Sequence, residues 1–160
     1  MRLSFLVGLI SAILSTPCFS QSPFQLNIAE LKSVGEKEDE HYFSQQFNYP
    51  LGHKLNWTAL ADERYLTSVH VSGTAGKTTA LIFKDVALGK QDIILAKLSN
   101  NPSDYRSYEA DQVSRDGFLM ISPMPGNELI IEIYSPNPKQ IKLSLHKVVV
   151  EKQEAPADFG

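Results

Sequence analysis

The chain has 160 residues and a formal net charge of −3, and 42% of its residues are hydrophobic, which is enough for one apolar core. No block of basic residues occurs, so nucleic acid and anionic membrane surfaces are excluded as expected partners on electrostatic grounds. The only cysteine, Cys18, lies near the start, so the rest of the chain has neither a disulfide framework nor a thiolate site.

The first residues have the pattern of a secretory signal peptide. After a positively charged start, Leu3–Leu14 carries no charge, and Pro17 ends the run. Small side chains before Gln21 favour cleavage there, so we predict a signal peptide over residues 1–20. One alternative is a membrane anchor, although a spanning helix needs about 20 apolar residues and this run has about 12. Another is acylation of Cys18. We expect a secreted or periplasmic protein with no membrane span after signal cleavage.

Residues 21–46 form a distinct, mostly polar stretch. They contain one amphipathic segment, from Phe24 to Leu31, and a charged run at Glu36–His41. Because a sustained strand pattern starts only at Phe47, we predict that residues 21–46 are a loosely packed N-terminal arm.

From residue 47 to residue 150, short apolar alternations separated by turn residues predict half-buried strands. In one of them, Thr67, Val69 and Val71 share a face. No helical period of useful length occurs between the strands, so we predict an all-β fold, a single-domain antiparallel β-sandwich of jelly-roll-like type. We expect residues 151–160 to be a flexible C-terminal tail. The clearest predicted strands are 65–72, 79–83, 93–98, 117–121, 128–134 and 141–150.

The segment Gly73–Thr78 ends in Gly-Lys-Thr, as the phosphate-binding loop of nucleotide hydrolases does. That loop needs a glycine five positions before its second glycine, and Val71 stands there instead. The residues that follow are β-branched and apolar, so they do not predict a helix whose N-terminus would face an anion. We therefore predict a glycine-rich turn between two strands.

Other side chains that could take part in catalysis or metal binding are scattered along the chain. The four histidines have no partner at metal-ligand spacing. No serine lies in a tight turn beside a base. The acidic run at Glu36–Glu40 has no apolar surroundings that would suit it to acid catalysis. We therefore expect a protein that is not an enzyme, with no catalytic residue, metal or cofactor.

Two tyrosines offer a candidate binding loop. Tyr105 and Tyr108 flank Arg106 in a polar segment, and exposed aromatic side chains can serve as platforms for sugars. The alternative is that these aromatic side chains plug the edge of the core. We take Tyr105, Arg106 and Tyr108 as candidate binding-loop residues, with a glycan as one candidate ligand.

Several scaffold motifs follow one another in the order of a known protein family. They include Phe47–Leu51, Trp57, the strand Tyr65–Ser72 with its Ser-x-x-Ala turn, and Pro125–Pro136. In these motifs the chain resembles the region that precedes the catalytic domain in secreted bacterial trypsin-like endopeptidases of the lysyl endopeptidase type. The end of the chain, Asp158–Gly160, is similar to the junction that leads into the protease domain. Two further similar segments are Ile82–Leu88 and Ile93–Leu95.

The resemblance concerns only the region before the catalytic domain. It therefore carries over no catalytic triad, oxyanion hole or specificity pocket. What it implies is a prodomain-like module that binds a secreted trypsin-like serine protease or assists its folding. The alternative is an extracellular or envelope module that binds a carbohydrate or another protein.

Overall fold

A computed structural model describes residues 22–154. The predicted signal peptide and residues 155–160 of the predicted tail lie outside the described residues. Two β-sheets pack against each other around one apolar core. The predicted all-β sandwich is thus confirmed. Most connections pass from one sheet to the other, as in a jelly-roll-like fold.

The first sheet, sheet A, has six strands. They are β1 (Phe24–Asn27), β4 (Thr58–Ala59), β5 (Tyr65–Ser72), β7 (Ile93–Leu98), β8 (Tyr105–Tyr108) and β10 (Leu129–Ser135). The order across the sheet is β1, β5, β10, β7, β8, and β4 pairs with the start of β5. The pairing of β1 with β5 is parallel, whereas the other pairs are antiparallel.

The second sheet, sheet B, has five strands. They are β2 (Gly35–Glu38), β3 (Tyr42–Pro50), β6 (Thr78–Ala87), β9 (Leu119–Pro125) and β11 (Lys142–Glu151). The order is β2, β3, β11, β6, β9, with every pair antiparallel. Strand β11 is therefore central in sheet B, as β10 is in sheet A.

The core follows the alternation of the central strands. In β10, Leu129, Ile131 and Ile133 point inward and are at most 1% exposed. Burying one such side chain contributes about 1.5–3 kcal/mol. In β11, Leu143 and Leu145 are buried as the sequence predicts.

A β-bulge interrupts β11. Between Leu145 and Lys147 the pairing register shifts with both neighbouring strands, since β11 has one residue more than β6 there and β3 has one residue more than β11. The extra residue changes which side chains face the core, so Val148 and Val150 are buried although the simple alternation from Leu145 would turn them outward.

The prediction of a loosely packed arm at residues 21–46 is wrong for its described part. Strands β1, β2 and the start of β3 belong to this stretch, and Leu26 and Ile28 are 1% and 2% exposed. The reason is a long-range one, because β1 obtains its backbone partners from β5, far along the chain. Short strands with a few apolar residues leave little local signal.

The end of the last strand also differs from the prediction. Glu151, expected to begin the tail, is the final residue of β11 and pairs with Tyr42 and Thr78. The N–H of Lys152 donates to the carbonyl of His41 at 2.8 Å. The helical segments of the described chain are short 3₁₀ turns, and within residues 22–154 none is long and apolar enough to cross a membrane.

Candidate functional site

The three predicted binding-loop residues lie on β8, an edge strand of sheet A, and not in a loop. Tyr105 is 56% exposed and Arg106 is also exposed. Tyr108 is only 5% exposed and belongs to the core. The prediction that Tyr108 could present its ring to a ligand is therefore wrong, since successive side chains of a strand point to opposite faces.

Tyr108 has a structural role instead. Its hydroxyl accepts a hydrogen bond of 3.0 Å from the backbone N–H of Ser122, on the edge strand β9 of the other sheet. The contact occupies an amide that the edge strand would otherwise leave free. The alternative interpretation, an aromatic side chain that plugs the edge of the core, is confirmed for Tyr108.

The segment Gly73–Lys77 is the connection between β5 and β6, as predicted. Gly73 has a φ of +79° and packs against the backbone of Ala29. Thr74 is buried, and its hydroxyl donates to the carbonyl of Asn127 at 3.1 Å. Gly76 of the Gly-Lys-Thr motif packs against Val150, and the N–H of Lys77 donates to the carbonyl of Glu151 at 2.8 Å, so the motif is held within the fold.

A groove opens at the end of the sandwich where β3, β6 and β10 end and β11 begins. Its volume is about 690 Å³. Sequence analysis did not predict it, because its walls come from segments that are distant in the chain. We call it the end groove. Its lining is mostly apolar and consists of Pro50, Gly52, His53, Leu55, Trp57, Asp85, Pro138, Lys139, Ile141, Lys142, Leu143 and Ser144.

The wall on one side is the segment between β3 and β4. The N–H of Leu51 donates to the carbonyl of Leu143 at 3.0 Å, which ties the segment to β11. A 3₁₀ turn follows at Gly52–Lys54, and the ammonium of Lys54 lies 4.4 Å from the centroid of the Tyr49 ring. Because the contacts of Leu51 and Lys54 hold this segment in place, the Trp57 side chain lines the groove.

The opposite wall is the crossover from β10 to β11. The N–H of Asn137 donates to the hydroxyl of the buried Ser135 at 3.0 Å. A 3₁₀ turn starts at Pro138, whose ring supplies the φ that the first residue of such a turn requires. The N–H of Ile141 closes the turn on the carbonyl of Pro138 at 3.2 Å.

Apolar and polar side chains take different positions in the end groove. Leu55, Ile141 and Leu143 are nearly fully buried and form its apolar base, whereas Trp57 is half-buried. The charged side chains are exposed and stand at the rim. These are Lys139, Lys142 and Asp85, with His53 as an exposed titratable neighbour. Such a combination of an apolar base with a few polar groups is typical of a binding site.

A histidine, an acid and a serine all line the end groove. His53, Asp85 and Ser144 make no side-chain hydrogen bond or salt bridge with one another in the described structure. Nucleophilic catalysis needs a hydrogen-bonded nucleophile and base. Within residues 22–154, no group of three or more His, Cys, Asp and Glu side chains could hold a metal ion.

The outer face of sheet A carries a cluster of charged and polar side chains. The ammonium of Lys97 lies 2.6 Å from the Glu132 carboxylate, which also accepts a hydrogen bond of 3.0 Å from the Tyr134 hydroxyl. Burial and the neighbouring Glu132 carboxylate raise the pKa of Tyr134. These groups interact with one another across β7 and β10, so the cluster supports the sheet.

No protein-family model matches the chain, and no curated protein is similar to it in sequence.

Proposed function

We propose that this protein is a non-catalytic binding module of the cell exterior, and that its partner is a secreted trypsin-like serine endopeptidase. The module binds the protease or assists its folding. The observation that carries the proposal is the end groove, an open and mostly apolar cavity of about 690 Å³ beside the half-buried Trp57.

The size and lining of the groove suit recognition. Cavities of about 300–1,000 Å³ with a few polar groups are the usual dimensions of binding sites. Trp57 is the only tryptophan of the chain, and tryptophan is among the residue types that most often dominate binding energy at interfaces. The two walls are tied by backbone hydrogen bonds, so little ordering is required on binding.

The choice of partner is supported by the resemblance to the region that precedes the catalytic domain of lysyl-endopeptidase-type proteases. Two of the segments that carry this resemblance are near the site. Phe47–Leu51 leads into one wall of the groove, and Pro125–Pro136 contains β10, which leads into the other. A protease of that type is therefore the first partner to test.

A second candidate function is glycan binding at the free edge of β8. The supporting observation is the 56% exposure of Tyr105, beside the exposed Arg106. Glycan pull-down that is lost in Tyr105→Ala and retained when the end groove is blocked would favour this function.

The experiment that tests the first proposal measures binding of the protein to a secreted trypsin-like endopeptidase from the same organism. Calorimetry, protease activity and refolding yield are recorded together. We expect a complex with a Kd at or below about 1 μM. Ser144→Phe places a bulky side chain in the groove and should weaken binding about tenfold or more, since it occupies the space of the partner.

The matched control is Ser68→Phe, which introduces the same side chain at another half-buried strand position, on the outer face of sheet A. It should leave binding unchanged. Circular dichroism confirms that both variants fold. Absence of a complex together with unchanged activity and refolding yield contradicts the proposal, and so does an equal effect of the two substitutions.

A further inference from the structure

The charge at the rim of the end groove is opposite in sign to the charge of the chain. The whole chain has 15 basic and 18 acidic residues and a net charge of −3. The rim carries Lys139 and Lys142 against the single carboxylate of Asp85, with His53 as the remaining titratable group. The groove is therefore locally positive on an acidic molecule.

The rim lysines are also free to act on a ligand. Lys77, Lys97 and Lys152 each lie within 4.0 Å of a carboxylate. Among the described residues, no carboxylate lies at that distance from Lys139 or Lys142. Both side chains are exposed, so their ammonium groups keep their hydration until a partner binds.

We infer that the end groove receives an acidic, extended polypeptide segment with one large apolar side chain, which packs against Trp57 while neighbouring carboxylates face Lys139 and Lys142. The inference rests on the proposed function and names the chemistry that its binding site recognises. The large apolar side chain of the segment matches the apolar base of the groove, and the carboxylates beside it match the lysines at the rim.

Electrostatics explains why the acidic flanks would add specificity. The chain has a net negative charge, whereas the rim carries two lysines against one carboxylate, so an anionic segment is attracted to the rim more than to the acidic parts of the surface. Asp85 opposes the attraction from within the rim. Its backbone φ of 54° lies in the left-handed region, which asparagine also adopts readily. Removing its charge is therefore compatible with the fold.

The test uses the emission of Trp57, which reports on the groove alone because the chain has no other tryptophan. The probe is the blocked peptide Gly-Glu-Asp-Phe-Glu-Gly, which contains no tryptophan or tyrosine. We expect a saturable change of Trp57 emission. The same peptide with lysine at every acidic position should bind about tenfold more weakly or worse. Replacing its phenylalanine by alanine should weaken binding similarly.

Charge variants of the protein give the reciprocal test. Lys139→Gln combined with Lys142→Gln should weaken binding of the acidic peptide about three- to tenfold, and Asp85→Asn should strengthen it about two- to fivefold. Lys32→Gln, at an exposed lysine in the connection between β1 and β2, is the matched control and should change nothing. Affinity should fall as salt rises from about 50 mM to about 500 mM, because exposed charges are screened.

Several results would overturn the inference. One is equal binding of the acidic and basic peptides. Another is a neutral oligosaccharide that changes Trp57 emission while the acidic peptide does not. A third is a concentration-dependent change of Trp57 emission without ligand that disappears in the double lysine variant, since this indicates a second copy of the chain as the occupant.

The inference and the proposed function can fail separately. If the protease binds and Ser144→Phe prevents it, but the charge variants have no effect, the function stands and the acidic segment is excluded. If the acidic peptide binds as described but no protease does, the chemistry of the groove stands and the partner is wrong.

Discussion

Tyr108 shows what a single side chain contributes to this sandwich. Its ring is buried at the edge of sheet A and its hydroxyl accepts the N–H of Ser122 from sheet B. The sequence places Tyr108 three residues after Tyr105, and on a strand that spacing puts the two rings on opposite faces. Grouping both tyrosines in one binding loop was wrong because the turn residues before them hid a four-residue strand.

We expect Tyr108→Phe to lower the free energy of unfolding by about 1–2 kcal/mol, because the Ser122 amide loses its partner at a half-buried position. Tyr105→Phe removes an equivalent hydroxyl from a 56% exposed side chain and should change stability by less than about 0.5 kcal/mol. Urea unfolding of both variants gives the comparison. Equal effects would show that the inter-sheet hydrogen bond contributes nothing.

At the scale of elements, β11 shows both the reach and the limit of prediction from the sequence. Its strand, and the inward positions of Leu143 and Leu145, follow from alternation. The bulge at His146 cannot be predicted from alternation, because Val148, Val149 and Val150 are all apolar and fit either face. The bulge places His146 beside Phe118, with ring centroids 5.5 Å apart.

We expect His146, at the bulge, to make the stability of the fold depend on pH. Burial lowers the pKa of His146 below its ordinary value of 6.5, and the ammonium groups of Lys84 and Lys147 lower it further. Well above pH 6.5, His146 is neutral in both the folded and the unfolded state. As pH falls below 6.5, the unfolded chain takes up a proton that the folded chain resists. The free energy of unfolding therefore decreases as the pH falls from 6.5 toward the lower pKa that His146 has in the folded state.

We expect wild-type stability to decrease between about pH 7.5 and about pH 5.5, and His146→Phe to reduce that decrease while retaining the contact with Phe118. Val34→Ala, at a 67% exposed position without a titrating group, is the control and should keep the wild-type slope. Urea unfolding at both pH values gives the measurement. The carboxyl of Asp39, whose pKa the backbone N–H groups of Tyr42 and His41 lower, affects stability only in a more acidic range. An unchanged slope in His146→Phe would assign the pH dependence to other groups.

At the scale of the whole molecule, the sequence predicts the fold class well and the site poorly. Alternation along β5, β10 and β11 is local, so it is visible in the sequence and predicts a sandwich. The end groove requires the segment around Trp57 to meet the crossover at Pro138–Lys142, and no local pattern encodes that meeting. In the sequence, Trp57 stands out as an aromatic residue and as one motif of the family resemblance, and neither indicates a groove. Lys139 and Lys142 are ordinary polar positions.

The N-terminal strands β1 and β2 determine whether the first described residues are required for a stable fold. Because Leu26 is 1% exposed in the core, Leu26→Ala should lower the free energy of unfolding by about 2–5 kcal/mol, through lost burial and the cavity left behind. Val34→Ala, at a 67% exposed position of the same stretch, should change it by less than about 0.5 kcal/mol.

Deletion of residues 21–40 is the stronger form of the same test. It removes β1 and β2 together, exposes the edges of β5 and β3, and should abolish cooperative thermal unfolding measured by circular dichroism. Deletion of residues 153–160 spares β11 and the contact of Lys152 with His41. If these residues are the flexible tail that the sequence predicts, this deletion should leave the transition almost unchanged. A folded protein after the first deletion would restore the interpretation of residues 21–46 as a dispensable arm, because the remaining strands would then hold the core without Leu26 and Ile28.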